Sequence, residues 1–515
     1  RLAMAWKRAV MAAFVLTIAA TAWLYVLVPK DFIPSADIGS LIAFTEGAQD
    51  TSFESMVRHQ QQVAAIILKD PNVDAMMSSV GAGGPRTAGN SGTMVIRLKP
   101  RAERDLTADQ IIQQLRRKVS RVPGIKVFLQ NRPSIRVGGR LSKAEYQYTL
   151  QALDLDELYR TADVLERALA RESGFRDVTS DMDIRSPQLV VQIDRNRSAT
   201  LGISAEQIEG ALASAYGSQR VTTIYTPSNQ YEVILEVEPR FQHDPSALSA
   251  LYLRSTNGAL VPLSAVITTR RGVGPLTINH QGQLPAVTIA FNLEEGMTLG
   301  SAVDRIERLK SELKVPGSVA TSFQGTAQAF QDSLTGLGIL LLMATLVVYL
   351  VLGILYESFV HPLTILSGLP AAGLGALLTL LIFGQTLNLF SFVGIIMLIG
   401  IVKKNAIMMI DFALAHRRET GATAEDAIYQ ACLIRFRPIM MTTMAALAGT
   451  LPIAIGYGDG GEARQPLGLA VCGGLLFSQF ITLYLTPVVF VYLDRLQGRM
   501  WGSEADAATI AAAGE

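Results

Sequence analysis

The sequence has 515 residues, of which 49% are hydrophobic and only 17% are charged, and its mean hydropathy is +0.30. These values are unusual for a soluble protein of this length and indicate a membrane protein with several structural units. The net charge is +1 and the basic residues are spread along the chain, so no basic patch for nucleic acid is indicated. Two cysteines, Cys432 and Cys472, are too few for a disulfide framework or a thiolate metal site.

Six apolar stretches are long enough to cross the roughly 30 Å hydrocarbon core of a bilayer as helices. They lie at about 9–28, 335–356, 362–383, 390–414, 438–456 and 465–493. The first of them gives an N-terminal helical segment, 1–30. Because the chain starts at Arg1, without a methionine or a signal-peptide cleavage pattern, we expect a cut or a fusion point there.

After the first span the pattern changes to short strands and amphipathic helices. Residues 31–144 run strand, helix, strand, strand, helix, strand. The second of these helices has a capping pair, Thr107 and Gln110, in front of apolar residues that share one face. This order predicts a ferredoxin-like βαββαβ unit in an α+β domain.

A second unit of the same kind opens at residue 145 but is interrupted. Its first elements fall within 145–194, and its closing elements appear only in 284–325. Residues 195–283 are therefore predicted to be an insertion, and they contain a long hairpin at 221–238. A hairpin alone has too little core to be stable, so we expect it to dock on another subunit.

The remaining five spans occupy 326–495 and are followed by a tail, 496–515, that we expect to be cytoplasmic. Lysine and arginine in short loops mark the cytoplasmic side of a membrane. They flank the first span, the loop between the fourth and fifth spans, and the last span: Lys7, Arg8, Arg417, Arg418, Arg435, Arg437, Arg495 and Arg499. The large domain between the first two spans is then predicted to lie outside the cytoplasm.

One cytoplasmic segment, 419–436, carries a cap pattern from Thr423 to Asp426 and apolar residues at helical spacing. The pattern predicts a separate helix. It fits either an amphipathic helix on the membrane surface or a connector helix in solvent, and the residues do not decide between the two.

Two lysines, Lys403 and Lys404, lie inside the apolar run GIVKKNAIMMID at 400–411. A lysine at the centre of a spanning helix costs about 2.5–3.5 kcal/mol, and Lys404 is about ten residues from the predicted span end. No acid stands three or four positions away, and the only carboxylate in the six spans is Asp411. Either the lysine is neutral, or its carboxylate partner is on polypeptide outside this sequence, or both lysines snorkel around a kink.

Further polar residues strengthen the first two readings. Asn405 adjoins the lysines, and the fifth span has hydroxyls at Thr442 and Thr443. Clustered polar groups inside a membrane indicate a proton or ion path. A single threonine would not, because threonines commonly bond a carbonyl of their own helix.

Four strings closely resemble the C-terminal half of proton-driven exporters of the resistance-nodulation-division family. They are GIVKKNAIMMIDFA (400–413), RFRPIMMTT (435–443), VLGILYESFVHP (351–362) and VQIDRNRSATLGIS (191–204). The resemblance covers nearly the whole chain, as spans seven to twelve of a twelve-span fold. It is nearest to the multidrug subfamily whose trimers can combine two different subunits.

The resemblance implies a proton relay that this chain holds only in part. By motif match the relay residues are Lys404, Arg435 and Thr442, with Asn405 beside them, and the paired aspartates belong to an N-terminal half that this sequence lacks. It also implies a trimeric pump, without cofactors, in the inner membrane of a Gram-negative-type bacterium. Such a pump works with a periplasmic adaptor and an outer-membrane channel and exports amphiphilic molecules from its porter subdomains, 31–144 and 145–194 with 284–325.

The loop at 80–92 resembles the mobile loop between the drug pockets of such pumps, although it has no aromatic residue. Candidate substrate-path residues are Met77, Gly81, Gly83, Gly84 and Met94. An ordinary surface loop is the alternative, and methionines are also common core fillers.

Other functions stay open beside multidrug export. Met76, Met77 and Met94 would suit soft metal ions as cargo, and lipids are another cargo class. A mainly structural partner in a mixed trimer is a further alternative. An enzyme is not indicated, since the chain has no P-loop signature and its five histidines are scattered.

Overall fold

The computed structural model of the protein describes residues 2–34, 36–81, 89–132, 137–139, 142–182, 184, 186–242, 244–275, 277–294, 296–458 and 460–501. The chain divides into two compact units. One of them is the inserted segment Met182–Ile278, and the other contains the rest of the described chain.

The first unit begins with helices α1 (Leu2–Ala5) and α2 (Lys7–Leu27), which lead into a four-stranded α/β layer. Its strands are all antiparallel, in the order β2-β3-β1-β4. The predicted Thr107–Gln110 capping box is present at the start of α4. The elements of the layer are β1 (Ser40–Gly47), α3 (Phe53–Leu68), β2 (Val73–Val80), β3 (Ser91–Leu98), a 3₁₀ turn (Arg101–Glu103), α4 (Ala108–Val119) and β4 (Ile125–Asn131).

The core of this layer lies between the sheet and its two helices. Alternate residues of β1 and β3 and the apolar stripes of α3 and α4 meet there, as expected for one-sided burial of a sheet. Its fully buried members include Leu41, Met56, Ile67, Met94, Ile96, Ile111 and Leu115.

A second α/β layer follows and is interrupted by the inserted unit. It opens with β5 (Tyr146–Gln151), α5 (Leu155–Arg171) and β6 (Phe175–Ser180). The inserted unit then contains β7 (Ser186–Ile193), α6 (Arg195–Thr200), α7 (Ala205–Tyr216), β8 (Gln219–Tyr225), β9 (Gln230–Leu235), α8 (Pro239–Gln242), a 3₁₀ turn (Pro245–Ala250), β10 (Tyr252–Arg254), β11 (Leu260–Pro262), a 3₁₀ turn (Leu263–Ala265) and β12 (Ile267–Gly274). The layer closes with β13 (His280–Gln281), β14 (Leu284–Leu293), α9 (Leu299–Glu312) and β15 (Ala320–Gln324).

The boundaries of the insertion differ from those predicted at 195 and 283. Strand β7 was assigned to the second layer, but it pairs along its whole length with β12, inside the inserted unit. In the second layer β14 lies between β5 and β6 instead, and β15 pairs with the other edge of β5. Alternating apolar residues reveal a strand but not its partner, which for β7 lies about eighty residues further along the chain.

The rest of the chain is helical: α10 (Thr326–Tyr356), α11 (Val360–Leu366), α12 (Leu369–Ile382), α13 (Leu389–Thr420), α14 (Ala424–Ile455) and α15 (Gly461–Trp501). Within the described residues, six helices are long and apolar enough to cross a membrane, with α11 and α12 together forming one of them. The predicted multi-pass membrane character is therefore confirmed.

The segment 419–436 does not form a separate helix. Its last residues are the first turns of α14, which begins after the Thr423 cap and continues without a break to Ile455. Pro438 lies inside this helix. A proline normally interrupts a helix in water, but the loss of one backbone bond is tolerated within a membrane bundle.

Glycines allow α12 and α15 to approach at backbone distance. A Cβ atom on Gly375 would lie 2.5 Å from the Gly473 carbonyl oxygen, and a Cβ atom on Gly473 would clash with the Thr379 hydroxyl. Gly394 brings α13 close to α15 in the same way, since a Cβ atom there would lie 3.0 Å from the Leu467 carbonyl oxygen. Small residues at such crossings are the usual means of packing helices in membranes.

A buried ion pair fixes the linker between α2 and β1. The Arg104 guanidinium donates two hydrogen bonds to the Asp37 carboxylate, at 2.8 and 3.1 Å, and the side chains are 1% and 5% exposed. Backbone amides of Gly39 and Ala108 donate to the same carboxylate. Burial alone would raise the pKa of Asp37, but these hydrogen bonds outweigh it and hold the pKa below its ordinary value.

Replacing Asp37 with asparagine should destabilise the protein by about 3 kcal/mol at neutral pH, because Arg104 is left buried without a counter-charge. Because its pKa is depressed in the folded protein, Asp37 stabilises the fold at pH values above the ordinary carboxyl pKa. The difference in the free energy of unfolding between wild type and Asp37→Asn should therefore be constant near pH 7 and shrink as the pH falls below about 4. Thermal unfolding of the purified protein at several pH values measures both effects.

Asp74→Asn is the matched control. Asp74 pairs with Arg97 at 2.6 Å, but those side chains are 44% and 71% exposed, so this change should cost less than about 1 kcal/mol. Equal losses in the two variants would show that the buried pair contributes no more than a surface pair.

Candidate functional site

A cluster of hydrogen-bonded polar side chains joins three membrane helices. The Asn405 amide of α13 donates to the Thr443 hydroxyl of α14 at 3.1 Å and to Oε1 of Gln479 of α15 at 3.2 Å. Thr443 and Gln479 are themselves 2.8 Å apart. The Thr443 hydroxyl also lies 3.0 Å from the Ile439 carbonyl, so its one proton has two alternative acceptors.

Local structure sets the position of this cluster. Helix α13 begins with an Asn388–Ser391 capping box, which fixes its first turn, and Gly394 holds that end against α15. Asn405 follows seventeen residues after the cap, near the middle of the helix. The membrane interior offers no water to its amide, so partners from neighbouring helices are required.

The cluster forms one wall of a cleft of about 360 Å³. The cleft is lined by Gly400, Ile401, Lys404, Asn405, Thr442, Thr443 and Ala446. The structure therefore brings together three of the four predicted relay residues, Lys404, Asn405 and Thr442. The Thr442 hydroxyl donates to the Ile439 carbonyl at 3.1 Å, which leaves its oxygen free to accept.

Lys404 belongs to a line of exposed residues on α13, which we call the exposed stripe. Its members are Val393, Met397, Gly400, Lys404 and Asp411. Their spacing of three, four and seven residues places them on one face of the helix. Among the described residues no carboxylate pairs with Lys404, whose side chain is exposed at the edge of the cleft.

Lys403 is on a different face and is the lysine that the bundle buries. Its side chain is 3% exposed, and its Nζ has no hydrogen-bond partner in the part of the chain that the structure describes. The sequence motif predicts Lys404 as the buried charge of the relay. The structure divides the pair, because neighbouring helical residues point about 100° apart.

Arg435, the fourth predicted relay residue, does not reach the cluster. Its guanidinium lies over the Phe412 ring, 5.2 Å from the ring centre. It precedes Thr442 by seven residues, which is about 10 Å along a helix. In this structure the arginine makes a cation–π contact between α14 and α13 in place of a contact with the cleft.

The candidate substrate-path residues that the structure describes, Met77, Gly81 and Met94, do not form one site. Gly83 and Gly84 lie outside the described residues. Gly81 directly follows β2 and has a positive φ of 73°, which favours glycine, and Met77 is exposed on β2. Met94 is 0% exposed in the core of the first layer, so the prediction that it lines a path is wrong.

Gln479 was not singled out by the sequence analysis, although a signal exists. Helix α15 carries Ser478, Gln479, Thr482 and Thr486 within an otherwise apolar run, and all four are buried. Polar residues repeated at three- and four-residue spacing in a span indicate a helix face turned towards protein. Applied to the sixth span, that pattern would have pointed to the partner of Asn405.

Comparison with known proteins decides the family. The model of the AcrB/AcrD/AcrF family matches residues 2–494. The chain belongs to this family. Its resemblance to resistance-nodulation-division proteins, recognised in four short strings, is thereby confirmed over nearly all its length.

Several curated relatives carry the name multidrug resistance protein MdtC. The protein of Serratia proteamaculans is 47% identical over 491 residues, which is 95% of this chain and 48% of the relative. That of Cronobacter sakazakii is 48% identical over 483 residues, 94% of this chain and 47% of the relative. The chain therefore spans about half the length of the curated relatives that it matches.

A solved structure of a heavy metal efflux pump has the same fold. It superimposes with a TM-score of 0.83 at 25% identity and covers 95% of this chain and 51% of the other. The six helices and the sheet-containing domain thus match the fold of this family.

Substitution of Lys403 by methionine should stabilise the protein by roughly 2 kcal/mol. Methionine has nearly the same length and removes a polar group that is buried without a partner. The measurement is the thermal unfolding midpoint of the purified protein.

Lys126→Met is the control for loss of a lysine, since Lys126 is exposed on β4 and its replacement should change stability by less than about 0.5 kcal/mol. A loss of stability in Lys403→Met would contradict the prediction and show that this ammonium is paired in the assembled protein.

Proposed function

We propose that this chain is the C-terminal half of a proton-driven multidrug efflux pump in the inner membrane of a Gram-negative-type bacterium. The single observation that carries the proposal is the position of Lys404. It borders a polar cleft on the exposed stripe of a membrane helix, and the described chain offers it no carboxylate. A charge in that place requires an acidic partner from elsewhere.

The partner we propose is a pair of carboxylates on the N-terminal half, which packs against the exposed stripe. When these carboxylates are ionised, Lys404 is held between them, since an opposite charge within a few ångströms favours both charged forms. When a proton neutralises a carboxylate, that attraction is lost. Lys404 then turns towards the oxygens of Asn405 and Thr442, which line the same cleft.

The Asn405–Thr443–Gln479 cluster is suited to follow this change. Thr443 has alternative acceptors, and amide side chains can exchange partners at little cost when the helices shift. A proton taken up at the carboxylates thereby alters the contacts among α13, α14 and α15. The resulting cycle would be secondary active transport, not catalysis.

Helix α10 offers the mechanical connection to the extramembrane domain. It starts at Thr326, two residues after β15 ends at Gln324, and β15 pairs with β5 of the second layer. A displacement of α10 in the membrane would therefore act directly on a sheet. We assign the two layers as porter subdomains of ferredoxin-like type, located in the periplasm, between which cargo passes.

Multidrug cargo is favoured by the relatives named multidrug resistance protein MdtC, at 46–48% identity. A metal cargo has support from the shared fold of heavy metal efflux pumps at 25% identity. The methionines do not add support for a metal cargo, because Met94 lies in the core of the first layer, Met76 packs against that core, and Met77 is exposed. We therefore place amphiphilic small molecules first.

In the complete pump, Lys404→Ala should abolish proton-coupled export, because protonation of the companion carboxylates then has no cation to release. The measurement is efflux of a fluorescent amphiphile from cells or proteoliposomes under an imposed pH gradient. A loss of at least about tenfold is expected, the factor that corresponds to 1.4 kcal/mol.

Lys403→Met is the matched control and should leave export intact, since Lys403 faces another side of α13. Export retained by Lys404→Ala and lost in Lys403→Met would overturn the relay assignment. Export unaffected by either change here, but lost on changing the companion subunit of a mixed trimer, would favour the mainly structural role for this chain.

The inserted unit supports assembly into a trimer. Strands β8 and β9 form a two-stranded sheet whose residues are exposed within this chain, among them Val221, Ile224, Tyr225, Tyr231, Ile234 and Leu235. Large apolar side chains exposed in this number indicate a protein interface. We propose that the hairpin docks on a neighbouring subunit, and that a periplasmic adaptor and an outer-membrane channel complete the system.

Ile234→Asp should lower the trimer fraction of the detergent-purified pump, because a carboxylate would be buried at the interface. Native mass spectrometry over a dilution series measures that fraction. Leu153→Asp, at an 84% exposed leucine outside the hairpin, should leave it unchanged. An unaltered trimer in Ile234→Asp would exclude this docking role.

A further inference from the structure

An apolar groove of about 760 Å³ lies between the membrane helices, away from the Lys404 cleft. Its walls come from α2, α10, α12 and α13, together with Leu366 of α11. The size falls within the range of ligand sites in proteins. Several wall residues of α2 are exposed, including Ile18, Tyr25 and Val26, so the groove opens on the outer surface of the bundle.

The two threonine hydroxyls in the groove wall already have hydrogen-bond acceptors. The Thr21 hydroxyl has two alternative acceptors, the Thr17 carbonyl at 2.7 Å and the Pro370 carbonyl at 3.0 Å. The Thr345 hydroxyl donates to the Leu341 carbonyl at 2.9 Å. Apart from the Tyr25 hydroxyl, the side chains of the wall are apolar or already bonded, which suits an alkyl chain.

The position along α2 places the groove in one half of the bilayer. Its α2 residues run from Ile18 to Val26, the last part of a helix that ends at Leu27. Nine residues of helix extend about 13 Å, close to half of the 30 Å hydrocarbon core. That half adjoins the extramembrane domain, which follows α2 in the chain.

A cation stands at the end of the groove where lipid headgroups lie. The Lys30 ammonium is over the ring of Tyr25, 4.9 Å from its centre, and Tyr25 lines the groove. Among the described residues no carboxylate pairs with Lys30. The adjacent Asp31 carboxylate accepts a hydrogen bond from the Phe32 amide.

We propose that this groove is a binding site for one anionic phospholipid, with an acyl chain between the helices and its phosphate at Lys30. The apolar walls account for the chain, and the ammonium at the headgroup level accounts for the negative charge. The groove shares no lining residue with the Lys404 cleft, and the proposal does not depend on the proposed transport function.

Binding can be measured by native mass spectrometry on the full-length protein in its native assembly, purified in detergent. Phosphatidylglycerol and phosphatidylcholine with identical acyl chains are the probes. The wild type should retain one more phosphatidylglycerol than phosphatidylcholine per chain. Lys30→Glu should weaken phosphatidylglycerol binding by roughly tenfold and leave phosphatidylcholine unchanged.

A second variant tests the groove itself. Ala22→Trp fills the groove from an exposed position of α2 and should remove the retained lipid of either kind. Ala19→Trp puts the same ring on α2 at an exposed position outside the groove, and Lys69→Glu reverses a charge in the extramembrane domain. Both controls should bind lipid as the wild type does.

Three results would overturn the proposal. Equal retention of the two lipids by the wild type would remove the headgroup recognition, and unchanged retention in Ala22→Trp would place the lipid elsewhere. Displacement of phosphatidylglycerol by an exported amphiphile would make the groove a cargo site. Because the readout is lipid mass, loss of export in any variant has no bearing on the outcome.

Discussion

A positive charge inside a membrane helix is the constraint on which the arrangement of this bundle depends. Hydrocarbon cannot solvate an ammonium group, so each lysine needs a carboxylate, polar oxygens or a route to water. Helix α13 carries two lysines and meets this demand differently for each. Lys403 is enclosed by the bundle, whereas Lys404 borders the cleft and the exposed stripe. The helix thereby has one packed face, one hydrogen-bonded face and one open face.

Buried polar groups serve opposite purposes in the two parts of the molecule. Asp37 and Arg104 satisfy one another and the backbone around them, so they hold a single geometry of the linker. The Thr443 hydroxyl, by contrast, has two alternative acceptors. Saturated networks define structure, while networks with spare capacity permit a change of state.

Features set by neighbouring residues in the chain were predictable from the sequence. The spans, the Thr107 and Thr423 caps and the intramembrane lysines follow from residue types at fixed spacing. The orientation of the two lysines could not be predicted, because α13 is apolar around most of its circumference and its sequence does not show which face is buried. The partner of β7 was also hidden, since strand pairing over about eighty residues leaves no local pattern.

The candidate site was predicted in part for the same reason. Lys404, Asn405 and Thr442 line one cleft because motif and helix geometry coincide there. Arg435 lies about two turns away, and Gln479 was missed, since which helices adjoin depends on packing across the bundle. Met94 shows the limit of reasoning from residue type alone, as a methionine suits a cleft and a core equally well.

The glycine crossings of the bundle restrict which parts of it are able to move. Gly375 and Gly473 bring the backbones of α12 and α15 into close contact, and we expect the two helices to move together as one body. Gly394 attaches the first turns of α13 to the same body. The remaining freedom of α13 is a tilt about that attachment, which displaces its distant half, with Lys404 and Asp411, further than the half beside the large domain. A long helix anchored near one end thus converts a small angular change into a larger displacement at the other.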